Sequence, residues 1–146
     1  MPTRYTVPRS RIDAMLDALS GLHGFICLDT DRGGQQQVSA LPVRHWQFPD
    51  HPARFDATVS EILREHHRLA AGAGAIAGSL CYEAGRQTVP GFRSRHSPMA
   101  HVGWAGLYLW HFTVPSDGDA WLEFHDHCPA SVKERVLACN EARATP

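Results

Sequence analysis

Apolar residues recur along the chain with periods that change from segment to segment, and those periods predict its elements. Ile12, Met15, Leu16 and Leu19 fall at i, i+3, i+4 and i+7 behind Ser10, which predicts a short amphipathic helix with a left-handed cap at Gly21. Phe25–Leu28 is an apolar run between Gly24 and the turn-forming cluster Asp29 to Gly34, and Val38–Phe48 reads as extended chain broken at Pro42. Two or three strands therefore follow the first helix. Asp50 and Pro52 suit a helix entrance; Phe55, Val59, Ile62, Leu63, His66 and Leu69 keep a helical period, and Gly72 ends it.

Ala75 to Tyr82 is apolar at successive positions, which predicts a strand buried on both faces, and Pro90 to Pro98 reads as loop. Trp104–Val114 and Ala120–Asp126 flank Pro115-Ser116-Asp117-Gly118, a hairpin pattern with Val114 opposite Asp119. That register places Tyr108, Trp110, Phe112, Val114 and Trp121 on one face, with Leu107, Leu109, Leu122 and Phe124 on the other. Both faces are apolar, so both should be covered. Ser131-Val132-Lys133-Glu134 matches a capping box that opens a last helix through Val136, Leu137 and Cys139, and Asn140 to Pro146 reads as a tail or linker. The expected class is α+β: a mostly antiparallel sheet with about three helices, one half of a two-sheet sandwich, in a single domain spanning residues 1–146.

Composition narrows the partners. Fifteen acidic residues against fourteen basic ones leave a net charge of -1, so no field exists to hold nucleic acid or anionic lipid. No stretch approaches the roughly 18 apolar residues of a membrane span, and the N-terminus lacks a secretory signal pattern. Cys27, Cys81, Cys128 and Cys139 are widely spaced without a C-x-x-C pair, which fits reduced thiols. A cytoplasmic protein is the expectation.

Local motifs for enzyme chemistry are absent: there is no phosphate-binding G-x-x-x-x-G-K-[ST], no G-x-S-x-G and no H-E-x-x-H. Gly72 to Gly78 echoes a dinucleotide-binding turn, but it follows a helix and opens a strand, the reverse of what that turn requires. Among ten histidines, His125 and His127 beside Cys128 form the best start of a zinc site. The expected hairpin register turns His111 to the opposite face, so a strand end entering solvent is the better explanation of these residues, and no metal is expected.

Leu80-Cys81-Tyr82-Glu83-Ala84-Gly85-Arg86, Pro98-Met99-Ala100 and Gly106-Leu107-Tyr108-Leu109-Trp110 together resemble the N-terminal domain of the chorismate-utilising synthases. These are the component I subunits of aminodeoxychorismate (para-aminobenzoate) synthase and anthranilate synthase. Ile26 to Thr30 resembles that family's leucine-rich strand, Val38 to Pro42 its strand ending in Ala-Asp-Pro, and the likeness covers Phe25 to Asn140. Tyr-Glu-Ala-Gly-Arg with Gly-Leu-Tyr-x-Trp looks most like the aminodeoxychorismate branch, which makes a folate precursor from chorismate and glutamine-derived ammonia.

In such subunits the chorismate site, its magnesium and the acid/base residues lie in a C-terminal catalytic domain whose motifs this sequence does not contain. The resemblance therefore implies no catalytic residue and no cofactor here. It implies a scaffold or regulatory domain, partnered by that catalytic domain and a glutaminase subunit, with an exposed sheet face open to self-association. It also implies an amino-acid pocket: Thr30 falls at the family's serine, Gly33, Gly34, Gln35 and Gln36 fall at its second element, and a shifted alignment brings in Arg32 as the cation. The alternatives are a free-standing amino-acid sensor built on that pocket, and a zinc-binding module at His125, His127 and Cys128.

Overall fold

The computed structural model describes residues 2–29, 34–70, 74–80, 84 and 101–141. Among them are eight strands and three α-helices, and the class is α+β with antiparallel sheets. The chain divides into two compact units: residues 1–43 with 108–146, and residues 44–107 inserted between those two parts.

The first unit holds β1 (Thr3–Val7), a 3-10 turn (Arg9–Arg11), α1 (Ile12–Ser20), β2 (Ile26–Asp29) and β3 (Gln36–Ser39). From the later part of the chain it takes β7 (Trp110–Val114), β8 (Ala120–Phe124) and α3 (Ala130–Glu141). Its five strands run in the order β1-β8-β7-β3-β2. Ile12, Met15 and Leu19 of α1 and Val136 of α3 join Val7, Val38, Phe112, Leu122 and Phe124 in one buried cluster. Each such side chain, fully withdrawn from water, contributes about 2 kcal/mol. Tyr5 meets Phe124 edge-on at 5.9 Å between ring centroids, and Trp110 stacks on it at 6.2 Å.

The inserted unit holds β4 (Arg44–Pro49), α2 (Pro52–Ala70), β5 (Ala75–Leu80) and β6 (His101–Tyr108), whose last residue enters the first unit. The sheet order is β4-β6-β5. α2 begins at Pro52 as its sequence predicts, and the ring Nδ1 of His51 accepts the Arg54 N–H at 3.4 Å, capping the first turn. Phe55 and Ile62 bury one face of α2 in a cluster with Phe48, Val102 and Ala105, while Val59 and Leu63 stay 37% and 62% exposed. Gly78 and Gly103 are required by backbone proximity: a Cβ on Gly78 would overlap the Trp104 carbonyl, and one on Gly103 the Ser79 carbonyl.

Several expectations are corrected. The apolar stretch from Trp104 to Val114 is two strands in different sheets, interrupted at Leu109. The hairpin register is shifted by one residue: Trp110 pairs with Phe124, Phe112 with Leu122 and Thr113 with Trp121. Asp119 lies outside the ladder, and its Oδ1 accepts the Arg9 N–H at 3.1 Å. Leu122 and Phe124 therefore join Trp110 and Phe112 in the core, and Trp121 moves to the other face beside polar residues. Only one face of this sheet is apolar.

β5 is an edge strand rather than a strand buried on both sides, with Ile76 36% and Leu80 54% exposed. Gly21 has φ of -82, and the left-handed glycine comes three residues later, at Gly24 with φ of 69. Ser131 lies inside α3, which starts at Ala130, so the capping box does not form, and the helix runs through Glu141 into the expected tail. The antiparallel strands form two sheets, of five and three strands, within the expected α+β class.

Candidate functional site

Of the resemblance-implied pocket, Thr30, Arg32 and Gly33 lie outside the described residues. Asp29, the last residue of β2, pairs with Gln36, and Gly34 and Gln35 precede that rung. Gly34 adopts φ of 63, and a Cβ built on it would stand 3.2 Å from the Ser116 Cβ. Gly34 thus lies against the β7–β8 turn, and its positive φ answers a backbone need. Arg9 fixes the same turn, with Nη1 donating to the carbonyls of Pro115 at 3.1 Å and Gly118 at 3.2 Å.

Cys81, Tyr82, Glu83, Gly85, Arg86 and Pro98 to Ala100 also lie outside the described residues, but Gly106 to Trp110 can be followed. The buried Tyr108 donates its hydroxyl to the Gly24 carbonyl at 2.8 Å, and burial pushes its phenol pKa up. The Trp110 indole N–H donates to the Ala40 carbonyl at 2.8 Å. Ser39 Oγ in turn donates to the Trp110 carbonyl at 2.6 Å. Beside them Leu41 holds φ of 52, with its N–H donated to the His23 carbonyl at 2.7 Å. Tyr108 and Trp110 thus anchor the segments just before β2 and just after β3 through backbone carbonyls.

His125, His127 and Cys128 follow the end of β8. The His125 N–H donates to the Leu109 carbonyl at 2.8 Å, adding a rung to the β7–β8 ladder. Alternation then puts His125 on the face of Glu123 and His111, so the expected separation of His111 from His125 is corrected. A metal set still does not assemble: among the described residues no three His, Cys, Asp or Glu side chains gather as ligands. His125 Nδ1 accepts the His127 N–H at 3.1 Å. Burial pushes the Cys128 thiol up to about 11, so it is protonated at neutral pH.

Sequence reasoning missed a polar row on the face of the five-stranded sheet away from α1 and α3. Glu123 pairs across the strands with Arg4 on one side and His111 on the other. Arg4 places its guanidinium 4.3 Å above the Trp121 ring. Burial lowers the His111 pKa, Arg4 lowers it further, and Glu123 opposes both. Thr113, 1% exposed, keeps its hydroxyl oxygen without a hydrogen-bond partner among the described residues. Its sequence signal was the pair of charged or polar interruptions, His111 and Glu123, within otherwise apolar strands.

Among the described residues no helix is long and apolar enough to cross a membrane. Comparison with family models, with curated proteins and with solved structures finds no match for this chain.

Proposed function

We propose that the chain is a non-catalytic scaffold and regulatory domain of the kind found at the N-terminus of aminodeoxychorismate synthase component I. The observation that supports it is the use made of the Gly106 to Trp110 segment. Its Tyr108 hydroxyl and Trp110 indole both donate to backbone carbonyls of neighbouring segments, a structural use that leaves neither group to act on a substrate. On this reading the chorismate chemistry and its magnesium belong to a partner catalytic domain, with ammonia supplied by a glutaminase subunit.

The test combines the purified chain with a component I catalytic domain produced separately, and follows amination of chorismate with magnesium and ammonium present. The expected result is no product from the chain alone, with binding and increased product once the catalytic domain is added. Product from the chain alone overturns the reading. Heat on titration with amino acids, without binding to the catalytic domain, replaces it with the sensor reading.

A further inference from the structure

We infer that Asp117 is a site of spontaneous backbone isomerisation, through a cyclic imide closed by the backbone nitrogen of Gly118. Asp117-Gly118 is the only Asp-Gly step in the sequence, and the single asparagine, Asn140, precedes the bulkier Glu141. A glycine after aspartate offers a nitrogen that no side chain crowds. In the turn between β7 and β8 this nitrogen lies 2.9 Å from Asp117 Oδ1, to which it donates its hydrogen. The nucleophile and the carboxyl group are thus already held together, which removes much of the entropic cost of the attack. Both residues are exposed to water. Gly118 has φ of 82, and a Cβ built on it would meet no heavy atom within 4 Å, so its Cα is open to water.

In the step, the Gly118 nitrogen lone pair forms a bond to Cγ of the protonated Asp117 carboxyl group. The bond from Cγ to the hydroxyl breaks, and that hydroxyl leaves as water with the amide proton. Water then opens the imide. Attack at Cγ restores Asp117; attack at the main-chain carbonyl carbon leaves the chain running through Cγ as isoaspartate. Water is the only co-reactant. The isomer adds a methylene to the backbone between the Pro115 and Gly118 carbonyls, the two that Arg9 Nη1 holds, so its formation loosens the turn.

The test holds the full purified chain at neutral pH and body temperature, natively folded and in urea, with aliquots digested for mass spectrometry. The expected native result is a peptide spanning Asp117 that first loses the mass of one water. It then regains its mass at a shifted retention time and accepts methyl groups from an isoaspartate-specific methyltransferase. Peptides carrying Asp13, Asp56 and Asp126 stay unchanged, and the native chain converts at least as fast as the urea-unfolded one. Asp117→Glu keeps the charge but must close a larger ring, and the signal disappears. An unchanged Asp117, a signal that survives in Asp117→Glu, or native conversion several-fold slower than unfolded conversion overturns the assignment.

Discussion

Leu41 is a bulky residue in the left-handed region, with φ of 52 and only 7% of its surface exposed. A leucine there bears roughly 1–2 kcal/mol of steric cost that glycine does not. Leu41→Ala empties the buried volume beyond Cβ and Leu41→Gly one methyl group more, and elsewhere glycine is the worse of the two by about 1 kcal/mol. Here the order reverses: in urea denaturation Leu41→Gly should unfold at a higher midpoint than Leu41→Ala, though both fall below the parent. His111 supplies a pH prediction. Burial holds its folded pKa below the ordinary 6.5, so the unfolded chain takes up the proton first. The stability its neutral ring contributes is complete above 6.5 and is lost as pH falls through the folded value. Denaturation followed from neutral to mildly acid pH should show that decline, and His111→Gln should make it shallower.

At the scale of elements, Arg9 holds the β7–β8 turn from the far end of the chain, by its backbone N–H to Asp119 and its guanidinium to two turn carbonyls. Arg9→Ala removes the guanidinium contacts at an exposed site and should cost about 1 kcal/mol, read as a lower urea midpoint with an unchanged slope. In the sequence, α2 was legible because everything that defines it is local: Pro52 at the first position, and Phe55 and Ile62 at helical spacing. The hairpin register differs by one residue from the expected one because Leu107 to Trp110 and Ala120 to Leu122 are apolar at successive positions, so alternation does not single out one pairing. β5 misled for a related reason: Ala75 to Leu80 reads the same whether a strand lies beyond it or water does. In the candidate site, Tyr108 and Trp110 were found through resemblance, whereas the polar interruptions His111 and Glu123 become an Arg4–Glu123–His111 row only once the register is known.

For the whole molecule, the question is why so much apolar surface stays in water. The inserted unit leaves Leu63 62%, Leu80 54%, Val59 37% and Ile76 36% exposed. Val59 and Leu63 lie one helical turn apart on α2, on the flank of the buried line of Phe55 and Ile62. Single exposed leucines are ordinary, but several of them on one small unit fit a surface that a partner covers. The proposed catalytic domain is such a partner, and a charge placed on α2 separates this reading from a merely greasy surface. Leu63→Lys removes a side chain that contributes little to folding while exposed, so the urea midpoint of the isolated chain should stay within about 0.5 kcal/mol of the parent. If the catalytic domain docks there, the same lysine is desolvated on binding without a partner of its own, and affinity should fall by at least roughly tenfold, about 1.4 kcal/mol. Calorimetric titration of the catalytic domain with parent and variant decides it: equal affinities would remove α2 from the docking surface.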